Sequence, residues 1–81
     1  MISPVIHTLA DLPFGSHAVL DEFMLPADDA ARLMELGFLP GAVVHAVRAA
    51  PGGDPRVFRV DGAHIALRRE TARLLRLLPD P

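Results

Sequence analysis

The chain has 81 residues, 51% of them apolar, with four aromatics that are all phenylalanine and no cysteine. That length supports one hydrophobic core and no second domain, and the missing cysteines exclude a disulfide staple, a thiol nucleophile and a thiolate metal site. A formal charge of −2 offers no overall basic field for nucleic acid. All eight basic residues are arginine, so no Walker A lysine exists to hold a nucleotide phosphate.

The opening stretch, residues 1–13, lacks the basic region and long apolar run of a signal peptide. No later stretch reaches the ~20 apolar residues of a membrane span. The expectation is a soluble cytoplasmic protein with no membrane insertion of its own, residues 1–81 forming a single domain with an ordered core over about 8–78.

In chain order, LADLPFGS (9–16) carries a Pro-Phe-Gly turn, and HAVLDEF (17–23) then reads as a first strand with Ala18 and Leu20 on one face. From Pro26 the apolar period lengthens to helical spacing at Ala30, Leu33, Met34 and Gly37. Asp28 and Asp29 fall in the first turn, where the helix dipole favours acids, and Pro26 suits the first helical position. Gly37 stands where a left-handed residue stops a helix, which lets Phe38 fold back onto Leu33 or Met34. Pro40-Gly41 fits the centre of a type II turn.

A second strand follows, with Val44 and Ala46 on one face and Val43, His45 and Val47 on the other. The loop PGGDP (51–55) leads to RVFRV, where Phe58 and Val60 alternate with Val57 and Arg59. Asp61-Gly62 is a strong type I′ hairpin signal before AHIAL, whose Ile65 and Leu67 point inward. Arg68 to Ala72 suits one helical turn, LLRLL (74–78) a fifth strand, and Pro79 to Pro81 a frayed tail. Five short strands and one inserted helix describe a strongly bent sheet or barrel, closed to hide its edges.

These signals together resemble the ferrous iron transport protein A (FeoA) family. The residues that carry the resemblance are TLADLPFG, the helix ending RLMELGFLPG, the strand to RAAPGGDP, then FRVDG and IALRRETARLL, spanning residues 8 to about 77. The pattern Leu33, Leu36, Gly37, Pro40, Gly41, followed by Gly53-Asp54-Pro55 and Ala66-Leu67-Arg68-Arg69, is its most specific part. Val43, His45 and His64 depart from the polar, acidic or basic residues usual at those positions. The resemblance implies a mainly β, five-stranded SH3-like barrel with one inserted α-helix and a short helical turn before the last strand. It also implies an accessory or regulatory protein that docks onto the cytoplasmic side of the FeoB membrane GTPase transporter.

Candidate partner-binding residues are the corner Phe38, Leu39, Pro40 and Gly41, the loop residues Gly53, Asp54 and Pro55, and the basic Arg68 and Arg69. Each glycine and proline among them also has a sufficient backbone reason to be there, and the basic run suits a solvated face. Val43, Val47 and Val57 form a candidate face for weak homo-oligomer formation, although β-branched residues favour strands for their own sake. With Phe23 and Phe58 assigned to the core and Phe14 and Phe38 to turns, too few aromatics remain for a polyproline groove.

The four histidines lack the spacing of a closed metal site. His45 and His64 are candidates only for a surface or intermolecular Fe or Zn ion, and no cofactor is required. Ser16-His17 has no group to orient it as a nucleophile and base, so the protein is expected not to be an enzyme. Two further readings are an SH3-like partner domain of a metal-dependent repressor and a small Fe(II)-binding carrier.

Overall fold

The computed structural model describes residues 7–79; residues 80 and 81 of the expected frayed tail lie outside them. In chain order the elements are β1 (His17–Phe23), α1 (Ala27–Glu35), β2 (Val43–Ala49), β3 (Arg56–Val60), β4 (Ala63–Leu67), α2 (Arg69–Ala72) and β5 (Leu75–Leu77). All pairings are antiparallel, in the order β4-β3-β2-β1-β5, which gives a mainly β, SH3-like fold.

The sheet does not close. Strands β4 and β5 are its two edges, where the sequence suggests a barrel. The physical reason lies at β5, which is only three residues long and whose outer side is already taken by the segment before β1. Leu9 N–H donates to the Leu75 carbonyl at 3.1 Å, Leu77 N–H donates to the His7 carbonyl at 2.8 Å, and Thr8 forms a bridge with Arg76. One exposed edge is thus capped by chain rather than by strand β4.

Local chemistry explains the elements between. At the end of α1, Gly37 N–H bonds the Met34 carbonyl and Phe38 N–H bonds the Leu33 carbonyl, both at 3.0 Å, with Gly37 at φ 108°. This is a Schellman stop, and it folds Phe38 back onto the Leu33 side of the helix. Pro26 is the N-cap rather than the first helical residue. The Leu39 carbonyl accepts from Ala42 N–H at 2.9 Å around Gly41 at φ 89°, completing the type II turn. Asp61 and Gly62 both have positive φ, as a type I′ hairpin requires.

One irregularity was not legible in the alternation. Between β2 and β3 the register shifts after Ala46, so that Arg48 faces Val57 and Ala49 faces Arg56, leaving Val47 as the extra residue of a bulge. Leu9, Leu12, Leu20, Phe38, Val44 and Phe58 are all buried in the core, with Leu75 closing it from β5. Three of these come from outside the sheet, so the loops at 9–12 and 37–38 are parts of the core.

Candidate functional site

Among the described residues the only buried charged side chain is Arg56, the first residue of β3, 6% exposed and on the same face as Phe58 and Val60. A guanidinium in that position needs acceptors. It has three. Nη1 donates to the Leu9 carbonyl at 2.7 Å and to the Ala10 carbonyl, and Nη2 donates to the Leu12 carbonyl. Phe14 lies over the guanidinium, its ring centroid 4.5 Å from Cζ, and the Phe58 ring is 5.6 Å away. Burial lowers the Arg56 pKa, Arg69 lowers it further, and Asp11 opposes both.

The TLADLPFG stretch is therefore shaped by a clamp. Asp11 turns it, accepting from the Thr8 N–H at 3.3 Å and hydroxyl at 3.2 Å, while Leu9 and Leu12 enter the core and three carbonyls converge on Arg56. Phe14, 51% exposed, closes the outside. Every buried side-chain polar atom among the described residues has a partner.

The candidate partner residues separate into two groups. At the start of β2, Leu39 is 48% exposed and Pro40 and Gly41 are exposed, with Leu36 and Val43 exposed nearby in sequence. Phe38 does not belong with them. It is fully buried, because the Schellman stop that exposes Leu39 turns Phe38 inward. At the other end of β2, Ala50 to Gly53 form a β-turn in which Gly53 N–H donates to the Ala50 carbonyl at 2.9 Å around Gly52 at φ 88°, and the Asp54–Pro55 peptide bond is cis.

Asp54 Oδ1 accepts from the Arg69 N–H at 2.9 Å, so it caps the first turn of α2 from a loop fifteen residues earlier. Arg69 in turn reaches over Gly53, where a Cβ would lie 3.6 Å from its Nη2. Gly53, Asp54 and Arg69 thus form one polar surface. Arg68 faces a groove between α1 and α2, lined also by Leu25, Asp29, Arg32 and Thr71. A seven-residue strand separates the two groups by roughly 20 Å.

The Asp54 cap gives a direct expectation. Asp54→Ala lowers stability by about 1 kcal/mol, the usual value of a lost cap, and thermal unfolding of the variant against wild type measures it. A change of under about 0.3 kcal/mol would show that the bond carries no net stabilisation.

On the outer face of the sheet, Val43 is exposed and pairs with Val19 of β1, while Val47 and Val57 are half-buried and kept out of direct register by the bulge. The valine face is therefore narrower than the sequence suggests. His45 pairs with His17 on β1 and with Arg59 on β3, and Arg59 pairs with His64 on β4. His45 and His64 accordingly stand two strands apart with an arginine between them. Partial burial, then Arg59, then His17 lower the His45 pKa, which favours its neutral form. No cluster of three or more histidine or acidic ligands occurs among the described residues.

Fold and site together define a small SH3-like β domain with its charged centre committed to its own backbone and its exposed features confined to turns, a loop and one sheet face. A family model, the FeoA domain, matches residues 7–77. The chain belongs to the FeoA family.

Solved structures agree. FeoA of Stenotrophomonas maltophilia complexed with zinc, described as a prokaryotic SH3 domain protein and a candidate activating factor of bacterial ferrous iron transport, is 38% identical at TM-score 0.74, over 86% of this chain and 87% of that one. Iron(II) transport protein A of Clostridium thermocellum is 29% identical at TM-score 0.82, and FeoA of Chlorobium tepidum is 29% identical at TM-score 0.83, each over 89% of this chain. The match spans 44% of the Clostridium chain and 69% of the Chlorobium chain. No curated protein matches the chain by sequence.

Proposed function

We propose that this protein is a cytoplasmic accessory component of bacterial ferrous iron uptake that docks onto the FeoB membrane GTPase transporter and modulates its activity or assembly. The observation that carries this reading is the FeoA-domain match across residues 7–77. Two further facts agree with an accessory role. No helix among the described residues is long and apolar enough to cross a membrane, and the chain has no P-loop lysine.

Docking centres on the apolar corner Leu39-Pro40-Gly41, with the Gly53-Asp54-Arg69 surface as a second contact. Turns held rigid by a scaffold are common positions for binding residues, and Leu39 is a large apolar side chain that the fold leaves in water. To regulate, the protein must bind one transporter state more tightly than another, since equal affinity shifts no equilibrium.

The test is titration of the labelled protein onto the transporter in lipid discs with a GTP analogue, with GDP and without nucleotide. Wild type is expected to saturate with a Kd that differs between nucleotide states. Leu39→Glu is expected to weaken binding about tenfold or more, the loss of a buried apolar anchor, while leaving the unfolding midpoint unchanged. No saturable binding in any state would overturn the reading.

A further inference from the structure

The sequence offers His45 and His64 only as surface candidates with no shared site between them; the strand register pairs His45 with His17. The Ser16 carbonyl accepts from Ala46 N–H at 3.0 Å and Leu20 N–H donates to the Ala42 carbonyl at 2.9 Å, which fixes hydrogen-bonded positions on either side of the His17·His45 pair. By alternation that pair is of the non-hydrogen-bonded kind, in which side chains of neighbouring strands approach most closely. The ring centroids are 5.3 Å apart and the planes are tilted by 39°.

That separation has a chemical meaning. Two imidazoles on one tetrahedral ion, with metal–nitrogen distances of about 2.0–2.1 Å, hold their ring centroids roughly 5 Å apart. His17 is exposed and His45 half-buried, both on the solvent side of the sheet, so the rings are reachable by an ion. We propose that His17 and His45 form a two-imidazole chelate on the outer face of β1 and β2 for a borderline divalent transition ion such as Zn(II) or Fe(II).

The class of ion follows from the donors. Neutral imidazole nitrogen suits Zn, Fe, Ni and Cu over Ca or Mg, and no carboxylate adjoins the pair in register. The neighbours are Val19 and Val43 on the same two strands and Arg59 across from His45. The remaining coordination positions open to solvent and are filled by water or by an acceptor from another molecule. Arg59 places a positive charge beside the ion, so the site binds through the entropic advantage of two ligands held together rather than through charge. This assignment concerns the chain's own residues and stands apart from docking onto the transporter.

The experiment is a zinc titration followed by the imidazole resonances of His7, His17, His45 and His64, with Zn(II) alone as the probe. Expected is saturation at one ion per chain with the His17 and His45 rings shifting together. His17→Gln and His45→Gln each weaken the Kd by about tenfold or more, the loss of one ligand from a chelate, while His64→Gln leaves it unchanged. Wild-type resonances decide the matter even if a variant fails to fold. Parallel, unsaturated shifts at all four rings, or equal losses for His64→Gln and His45→Gln, would overturn the chelate in favour of independent single-histidine binding.

Discussion

Arg56→Met lowers the unfolding free energy by about 2–6 kcal/mol, because it leaves the buried Leu9 and Leu12 carbonyls without a donor at roughly 1–3 kcal/mol each. Replacing a buried charge by an apolar side chain is sometimes neutral, because the desolvation cost disappears with the charge. Here that gain is outweighed. The Leu9 and Leu12 carbonyls bond Arg56 at buried positions, so water cannot replace the lost donors. A loss of that size is comparable with the whole stability of a marginal small domain.

The variant should also show where the loss falls. Hydrogen exchange at the Leu9 and Leu77 amides, which tie residues 7–9 to β5, should accelerate beyond the global effect. Arg56→Lys should recover less than half of the stability, since one ammonium cannot span three carbonyls in the way a planar fork does. An Arg56→Met protein with the wild-type denaturant midpoint would refute the clamp.

Phe38→Ala is expected to cost about 3–5 kcal/mol, the usual range for truncating a fully buried phenylalanine. It sits at 0% exposure at the Schellman position that packs against Leu33. Its neighbour supplies the control. Leu39→Ala, one residue on and 48% exposed, should change stability by no more than about 0.5 kcal/mol, and Phe38→Leu should fall in between. Denaturant unfolding of the three variants separates the core residue from the surface one. Equal costs at the two positions would mean that the corner is not folded as described.

The contrast between Phe38 and Leu39 shows what the sequence can and cannot convey. Gly37 announces the end of α1 and Pro40-Gly41 the turn after it, because each needs a backbone geometry that few residues accept. Gly37 also signals that Phe38 folds back onto Leu33, which the Schellman bonds bear out; what it does not signal is how completely, for Phe38 is fully buried and keeps no exposed part for a partner. Arg56 is a sharper case. Its place on the Phe58 face of β3 went unmarked, because its partners are backbone carbonyls 44 to 47 residues away and carbonyls leave no mark in a sequence.

Register explains the remaining differences. His45 and His64 stand two strands apart with Arg59 between them, whereas His17 is separated from His45 in sequence by an inserted helix, and only the pairing of β1 with β2 brings those two together. The bulge at Val47 likewise arises between two strands, so alternation along one strand could not reveal it. The open sheet follows the same logic, since strand count suggests closure while the short β5 and the segment covering it decide the outcome.

The way the first described residues are held sets an order in time. Leu9 is fastened by a hydrogen bond to Leu75 and by the side chain of Arg56, and so this early stretch is not fully fastened until the residues up to β5 have left the ribosome. At about 5–20 residues per second, it waits several seconds with Leu9 and Leu12 uncovered, while β2, β3 and β4 can already form their hairpins. Synthesis runs from the N-terminus, but the final act of folding is to bring that early stretch home.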